Sequence, residues 1–268
     1  MSASVSLRQP TAAIIVIGDE ILSGRTADKN INWLAGRLHD RGIRLAEARI
    51  IADDRAVIIS TVQALSAAVD MVFTSGGIGP THDDITTPCV AEAFGVAVIR
   101  HPEANRRLVE HYRGTEMPYN EARQKMADIP EGAELIDNPL SAAPGFSIGN
   151  VHVLPGVPTI LQAMFLGLED RLPGGVVQTR LTVQSDIGEG TVAAGLAEIE
   201  AAHNGVSIGS YPWFKPGRFG TALVVSGLDE AVVRAAAAAV AELVRSFGGT
   251  ATIEEGASGG NTSTPNGG

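Results

Sequence analysis

The sequence predicts a protein of the α/β class, in which a three-layer α/β/α domain with a mainly parallel sheet precedes a small α+β domain. Strand and helix patterns alternate over residues 1–175, an order that implies right-handed crossovers between parallel strands. Near Pro173 the pattern changes to a β-α-β-β-α order over residues 176–249. From residue 250 onward Gly, Ser, Thr and Asn dominate, so residues 250–268 are predicted to be a disordered tail.

Hydrophobic periodicity predicts the first elements of the large domain. Residues 12–17, 43–52 and 70–75 are apolar runs typical of buried strands. Two helices lie between them, and Asp28 and Asp54 are suited to cap their N-termini. The residues expected to face the core are Ile31, Leu34, Ala35 and Leu38 in the first helix, and Val57, Ile58, Thr61, Val62, Leu65 and Val69 in the second.

The later elements follow from turn and capping signals. A helix is predicted to begin near Thr86, because Pro88 suits a first turn. Residues 146–148 and 151–154 flank Gly-Asn and predict a β-hairpin, and a further helix is predicted from Pro158. The small domain is predicted to have strands at 180–184, 206–209 and 221–226 and helices at 191–202 and 229–247.

Composition limits the classes of partner. Acidic residues outnumber basic residues 30 to 20, which gives a net charge of −10. A surface of that sign repels a polyanion, so no nucleic-acid partner is expected. The single cysteine, Cys89, excludes a disulfide framework or a cysteine-built zinc site within one chain. The apolar runs are too short to span a membrane, so we expect a cytoplasmic protein without a membrane partner.

The most informative segment is residues 74–86, Thr-Ser-Gly-Gly-Ile-Gly-Pro-Thr-His-Asp-Asp-Ile-Thr. It leaves a strand and enters a helix, and parallel sheets bind ligands at that edge. Glycine amides and a helix N-terminus suit a phosphate group. The residues predicted to bind phosphate are Ser75, Gly76, Gly77, Gly79 and Thr81. The alternative is a glycine-rich turn followed by acids that cap the next helix.

Acidic residues follow all three predicted strands at this same edge. They are Asp19 and Glu20 after the first strand, Asp53 after the second, and Asp83 and Asp84 in the glycine-rich loop. Carboxylates beside a phosphate are favourable when a divalent cation lies between them, and their hard oxygen atoms suit Mg²⁺ or a similar ion. The alternative is that the acids only cap helices and turns.

Turn-forming strings surround the predicted hairpin. Asn138, Pro144, Gly145, Pro155 and Gly156 are candidate substrate-binding residues, together with Asp19. The alternative for the prolines and glycines is turn chemistry alone. Arg123 and Lys125 are basic residues that are able to neutralise a diphosphate, although a solvated helix face is the favoured interpretation.

Four of these strings together resemble one known family. They are Gly-Asp-Glu-Ile-Leu at 18–22, the segment 74–84, Ala-Pro-Gly-Phe at 143–146 and Leu-Pro-Gly-Val-Pro at 154–158. The combination is similar to the MoaB/Mog-type (molybdopterin-binding-like) domain, in the branch formed by the N-terminal part of CinA, the competence/damage-inducible protein A. The corresponding domain of eukaryotic FAD synthase is also similar. The resemblance covers residues 12–172, and the string at 208–212 looks like the small domain of that branch.

The resemblance implies an activity and roles for the acids. In the CinA branch it implies metal-dependent cleavage of a nucleotide diphosphate, such as ADP-ribose or FAD, with release of AMP. Functional aspartates of Mog-type proteins match Asp53 and Asp84, which become the expected catalytic residues. Asp84, Asp83 and Glu20 are the expected ligands of Mg²⁺, Mn²⁺ or Co²⁺. His82 before Asp83 follows the CinA pattern rather than the Mog pattern.

Two other functions stay open at this point. One is binding or adenylylation of molybdopterin in molybdenum cofactor biosynthesis, in which the same loop holds the terminal phosphate of the pterin. The other is a non-catalytic nucleotide-binding module. Relatives tend to be dimers or trimers, so the resemblance also implies a homo-oligomer.

Overall fold

The computed structural model describes residues 9–255, which divide into two compact units. The first unit comprises Gln9–His39 and Ile43–Gly175, and the second includes the described residues from Val176 onward. Within residues 9–255, no helix has both the length and the apolar character that crossing a membrane requires.

A six-stranded mixed sheet forms the centre of the first unit. The strands of this unit are β1 (Thr11–Ile17), β2 (Arg44–Ile51), β3 (Met71–Ser75), β4 (Val98–Arg100), β5 (Asp128–Pro130), β6 (Glu134–Ile136), β7 (Gly145–Ile148) and β8 (Val151–Leu154). The order in the large sheet is β2-β1-β3-β8-β7-β6, and β4 pairs with β5 separately. The first four strands of that order run parallel, whereas β7 is antiparallel to both of its neighbours.

Helices cover both faces of this sheet. They are α1 (Asp19–Leu22), α2 (Asn30–Asp40), α3 (Arg55–Ala68), α4 (Thr86–Ala93), α5 (Pro102–Tyr112), α6 (Glu121–Gln124) and α7 (Pro158–Leu168). Successive side chains of a strand point to opposite faces. Ile15 of β1 therefore packs in a core with α3 and α4, while its neighbour Ile14 packs in a second core with α2 and α7. The predicted three-layer architecture is confirmed.

Local signals in the sequence placed most of these elements correctly. Asp54 caps α3 by accepting a hydrogen bond from the Val57 amide, at 2.9 Å. The prediction that Val57 faces the core is wrong, because its side chain is 40% exposed. Val57 lies in the first turn of α3, and the buried residues of this helix begin at Ile58. The pair β4–β5 and helix α5 were not predicted. Strands of three residues are too short to show an alternation, and only two residues of α5, Ala104 and Leu108, are buried.

The second unit is an antiparallel sheet with two helices. Its elements are β9 (Thr179–Ser185), α8 (Glu189–Ala202), β10 (Val206–Lys215), β11 (Arg218–Gly227), α9 (Glu230–Ser246) and β12 (Ala251–Glu255). The sheet order is β10-β11-β9-β12. The predicted β-α-β-β-α order is present, but the start of the predicted tail is wrong. The chain returns from α9 to the open edge of β9, where residues 251–255 gain strand hydrogen bonds. Residues 256–268 lie outside the described part of the chain.

Candidate active site

A cleft of about 440 Å³ lies at the carboxyl ends of β1, β2, β3 and β8. The residues that line it are Ile17, Gly18, Glu20, Thr26, Asp53, Gly76, Gly77, Ile78, Gly79, Asp83, Asp84, Pro155, Gly156, Val157 and Pro158. The structure therefore brings acids from three separate strand ends together with the glycine-rich loop. Pro155 and Gly156, predicted as substrate contacts, are also in this cleft.

Backbone hydrogen bonds hold the ends of β1 and β2 together. The Gly18 amide donates to the Ile51 carbonyl at 3.1 Å. The next amide, that of Asp19, donates to Oδ2 of Asp53 at 3.0 Å. Asp19 itself is exposed at the first position of α1 and does not line the cleft. Its contribution to the site is this backbone amide, which orients the Asp53 carboxylate.

Gly76 follows β3 and contacts the ends of β1 and β8, where there is no room for a side chain. Its φ is +112°, and a Cβ atom there would lie 2.2 Å from the Ile17 carbonyl oxygen. Its amide donates to the Leu154 carbonyl at 3.1 Å, and its carbonyl accepts from the Thr86 hydroxyl at 3.0 Å. The expectation that the Gly76 amide binds phosphate needs correction, because the neighbouring strand already accepts that hydrogen bond.

Gly77 and Gly79 are the two loop glycines of the cleft wall whose amides are not used within the described part of the protein. Across residues 9–255, neither amide donates to a protein acceptor. The Gly77 carbonyl accepts from the Thr86 amide at 2.9 Å, which fixes the loop to the start of α4. Gly79 is required for a different reason, since a Cβ atom there would lie 2.7 Å from Oδ2 of Asp84. The predicted phosphate-binding role is therefore open to these two amides.

Ser75 and Thr81 have structural roles rather than the predicted contact with phosphate. Ser75 is 1% exposed at the end of β3, and its Oγ accepts a hydrogen bond from Asn30. Both the amide and the hydroxyl of Thr81 donate to Oδ2 of Asp84, at 2.8 and 2.5 Å. Thr81 thereby holds Asp84 in place, because a carboxylate three residues ahead in a tight turn accepts such hydrogen bonds readily.

Asn30 is a residue of this site that was not predicted. Its Nδ2 donates to Oγ of Ser75 and to the Gly156 carbonyl, both at 2.8 Å, so it links the ends of β3 and β8. It is 3% exposed, and in the described structure its Oδ1 atom has no hydrogen-bond partner. The signal was present in the sequence, since Asn30 stands four residues before Leu34 in the buried stripe of α2, where a polar residue is unusual.

The carboxylates of the cleft affect one another electrostatically. Burial raises the pKa of Asp53, the hydrogen bond from the Asp19 amide lowers it, and the nearby charges of Asp19, Glu20 and Asp83 raise it again. Among the described residues, no three His, Cys, Asp or Glu side chains form a group able to hold a metal ion by themselves. His82 is fully exposed and does not line the cleft.

The remaining predicted contacts are divided between turns and a second cavity. Asn138 closes a turn, because its Nδ2 donates to Oγ of Ser141 and to the Ala143 carbonyl. Gly145 is buried in β7, where a Cβ atom would lie 2.3 Å from the Val153 carbonyl oxygen. Neither residue lines the cleft, so turn and strand geometry accounts for both. Pro144 lines a smaller cavity beside it.

This second cavity has a volume of about 150 Å³. The residues around it are Ile78, Gly79, Asp84, Thr87, Pro88, Val98, Lys125, Met126, Asp128, Ile129, Pro144 and Phe146. Lys125 belongs to its wall, and its Nζ donates to the Thr81 carbonyl at 2.6 Å, so the interpretation of Lys125 as a purely solvated residue is wrong. Arg123 lies over the ring of Tyr112, with its Cζ 5.0 Å from the ring centroid.

Comparison with known proteins gives family matches for both units. Residues 13–173 match the family described as "Probable molybdopterin binding domain", and residues 178–248 match "FAD synthase, middle domain". All the residues that line the cleft lie within the first matched range.

Individual relatives agree with these matches. A "Probable FAD synthase" of Caenorhabditis elegans is 34% identical over 262 residues, which cover 88% of this chain and 50% of that protein. A "CinA-like protein" of Syntrophus aciditrophicus is 35% identical over 212 residues, covering 75% and 50% of the two chains. The crystal structure of CinA from Thermoplasma acidophilum, described as of unknown function, is 30% identical with a TM-score of 0.57, and the match covers 61% of this chain and 98% of that one. The chain thus spans about half the length of the curated relatives it matches.

Proposed function

This chain belongs to the molybdopterin-binding domain family, with CinA-like proteins and FAD synthases among its relatives, and from that premise we propose that it is an enzyme that hydrolyses the diphosphate of a nucleotide. The proposed substrates are of the ADP-ribose or FAD type, and AMP is one product. One observation supports this most directly: a single cleft is lined by several carboxylates and by two glycines whose amides have no protein acceptor within residues 9–255. These residues are Gly77, Gly79, Glu20, Asp53, Asp83 and Asp84.

A divalent cation is part of the proposal, because carboxylates alone would repel a diphosphate. The raised pKa of Asp53 reflects burial and the neighbouring negative charge that a cation would offset. The donor set fits Mg²⁺, Mn²⁺ or Co²⁺, since Mg²⁺ is usually bound by one or two carboxylates plus substrate phosphates rather than by a closed protein cage. We propose Asp84, with Asp83 or Glu20, as its protein ligands, and the substrate phosphates and water as the others. When bound, the cation neutralises phosphate charge and lowers the pKa of a coordinated water.

The residues of the chain have distinct tasks in this proposal. The amides of Gly77 and Gly79 hold non-bridging oxygens of the diphosphate, aided by the positive end of the α4 dipole. Asp53, oriented by the Asp19 amide, positions the attacking water and accepts its proton. A raised pKa makes Asp53 a better base near neutral pH than an ordinary aspartate.

The proposed reaction breaks one phosphorus–oxygen bond of the anhydride. The oxygen of water forms a bond to the phosphorus of the adenylyl group, and the bridging oxygen leaves with the other phosphate. The products are AMP and a phosphorylated remainder, which is ribose 5-phosphate from ADP-ribose or FMN from FAD. Water supplies the only added atoms, so no further co-reactant is required.

The test is product analysis with several substrates and cations. The purified protein is incubated with ADP-ribose or FAD and with Mg²⁺, Mn²⁺, Co²⁺ or a chelator, and AMP is quantified by chromatography. We expect cation-dependent release of AMP. Asp84→Asn should lower kcat by about 100-fold or more. Asp137→Asn is the matched control, since that carboxylate is 77% exposed and lies outside the cleft.

Three results would contradict the proposal. Equal turnover by the wild type and by Asp84→Asn would show that the cleft acids are not catalytic. Retention of a fluorescent pterin after purification, without nucleotide cleavage, would instead assign the cleft to molybdopterin. Thermal stabilisation by nucleotides without any turnover would show a binding module.

A further inference from the structure

We propose that the second cavity binds the adenine ring of the nucleotide, so that the cavity and the cleft hold the base and the diphosphate of one ligand. The proposal rests on the proposed function for the identity of the cleft's ligand. It adds that the enzyme selects adenine nucleotides, because the cavity recognises the adenine base.

The chemistry of the cavity walls fits a flat, mostly apolar ring. The apolar wall residues are Ile78, Pro88, Val98, Met126, Ile129, Pro144 and Phe146. Two of these residues are almost fully buried, since Phe146 is 1% and Ile129 is 2% exposed, so this part of the wall is fixed by the core. Ligand sites typically combine such apolar walls with a few polar groups that orient the ligand.

The cavity and the cleft are adjacent and share part of their walls. Ile78, Gly79 and Asp84 line both of them. Gly79 belongs to both walls, and its amide is one of the two donors that we propose for the phosphate. A nucleotide likewise has an aromatic ring at one end and charged phosphates at the other. The two spaces therefore match the two ends of one molecule rather than two separate ligands.

Polar groups on the cavity wall match the edge of adenine. Asp128 contributes a carboxylate, which only accepts hydrogen bonds when ionised, and Thr87 contributes a hydroxyl that both donates and accepts. The exocyclic amine of adenine is a donor and needs such acceptors. Asp128 is held in place by Nε of Arg100, at 2.5 Å from its Oδ1 atom. Lys125 is a donor on this wall, but its Nζ already donates to the Thr81 carbonyl. The acceptors Asp128 and Thr87 therefore favour adenine, with its amine donor, over a ring edge made of carbonyl groups.

The first experiment fills the cavity from its exposed side. Val98 is 41% exposed, so Val98→Trp adds a large side chain to the wall without replacing a buried residue. Ile99→Trp is the matched control, because Ile99 is the next residue of β4, is 37% exposed and does not line the cavity. Binding of ADP, FMN and inorganic pyrophosphate is measured by calorimetry with Mn²⁺ present.

We expect Val98→Trp to weaken ADP binding by about tenfold or more and to change pyrophosphate binding by less than about twofold. Ile99→Trp should leave both affinities unchanged. The proposal is overturned if ADP binds the Val98→Trp variant as it binds the wild type, or if pyrophosphate loses as much affinity as ADP. A loss confined to FMN would assign the cavity to a flavin ring, which also overturns it.

A second measurement uses only the wild-type protein and so does not depend on the folding of a variant. Adenosine has the base without phosphates, and pyrophosphate has the phosphates without the base. Adenosine should displace ADP and should bind together with pyrophosphate. If adenosine fails to displace ADP, or if it displaces pyrophosphate, the cavity is not a separate base site.

These results also distinguish the two proposals. Base-dependent binding with no release of AMP would support the adenine site and reject hydrolysis. Release of AMP at the wild-type rate and affinity by Val98→Trp would support hydrolysis and reject the adenine site.

Discussion

The carboxylate of Asp53 accepts a hydrogen bond from the backbone amide of Asp19, with 3.0 Å between Oδ2 and N. This hydrogen bond holds the Asp53 side chain, which follows β2, against the first residue of α1. Burial and the charges of Asp19, Glu20 and Asp83 raise the pKa of Asp53 there. One amide donor does not offset that environment. The negative charge of Asp53 is therefore less favourable than that of an ordinary aspartate, and a nearby cation would stabilise it.

The first prediction concerns the pH dependence of cation binding. The proposed cation lies beside the Asp53 carboxylate and is attracted by its negative charge, and the raised pKa means that protons remove this charge at a higher pH than for an ordinary aspartate. The affinity for Mn²⁺ should fall as the pH falls through this raised pKa and should level off above it. Asp53→Asn should weaken binding and remove this part of the dependence. Titrations with Mn²⁺ at several pH values, followed by electron paramagnetic resonance, would measure this affinity. Identical pH profiles for the variant and the wild type would show that Asp53 does not face the cation.

The second prediction compares two glycines that differ in what a methyl group would meet. In Gly79→Ala the new Cβ atom meets Oδ2 of Asp84 at 2.7 Å, while the backbone needs no left-handed conformation. This variant should lose about tenfold or more in kcat, with a change of less than about 1 kcal/mol in the free energy of unfolding. Steady-state kinetics and urea unfolding would measure both quantities.

Gly95→Ala is the control for that comparison. Gly95 has a φ of +67° but open space around it, so the methyl group strains only the backbone. The free energy of unfolding should fall by about 1 kcal/mol, and kcat should not change. A Gly79→Ala enzyme with full activity would contradict the close packing of Asp84 against this loop.

The third prediction tests Asn30 as the link between β3 and β8. Asn30→Ala removes the donor to Ser75 and to the Gly156 carbonyl in a buried setting. The free energy of unfolding should fall by about 2 to 3 kcal/mol, because buried acceptors lose their partner. Asn120→Ala, which removes the exposed cap of α6, should lower the free energy of unfolding by no more than about 1 kcal/mol. Equal losses from the two substitutions, measured by urea unfolding, would show that Asn30 is not a buried link.

The fourth prediction concerns His152 and acid stability. Burial, with a smaller contribution from Arg171, lowers the pKa of His152 to about 4. The ring accepts or donates a hydrogen bond at 2.8 Å with Ser147 and stacks on Phe73. The unfolded chain binds this proton near pH 6.5, so the stability contributed by neutral His152 is present above about pH 6.5 and is lost as the pH falls toward about 4.

Replacement of this histidine isolates its contribution. His152→Gln should reduce the loss of unfolding free energy between about pH 7 and 4.5 by about 2 kcal/mol relative to the wild type. The matched control is His111→Gln, which makes the same substitution at an exposed position. Chemical denaturation at the two pH values measures the difference. Parallel pH curves for His152→Gln and the wild type would contradict the assignment.

Much of the fold was predictable because its signals are local. The stripe that includes Leu34 and Leu38, the cap at Asp54 and the turn at Gly149 each depend on neighbouring residues. The strand β12 was not predictable in this way. Its residues form a strand because β9 offers an unpaired edge, and that edge exists only after the rest of the second unit has folded.

In the candidate site too, some features follow from local sequence signals and others depend on the tertiary structure. Glycines, hydroxyls and carboxylates at successive strand ends already indicate phosphate and cation chemistry, and the order of parallel strands predicts that they meet at one edge. The second cavity was not indicated, because its wall combines Val98, Met126 and Phe146 from segments without a shared motif.

The sequence by itself determined which residues are chemically able to bind a phosphate or a cation, since that ability belongs to the side chain and its local backbone. Only the tertiary structure decided which of them remain free to do so. The Leu154 carbonyl accepts from the Gly76 amide, and Asn30 donates to Ser75, whereas the amides of Gly77 and Gly79 in the cleft wall have no protein acceptor within residues 9–255. The physical reason is that a hydrogen-bonding group satisfied by a distant strand or helix has little capacity left for a ligand, and such partners are brought close only by folding.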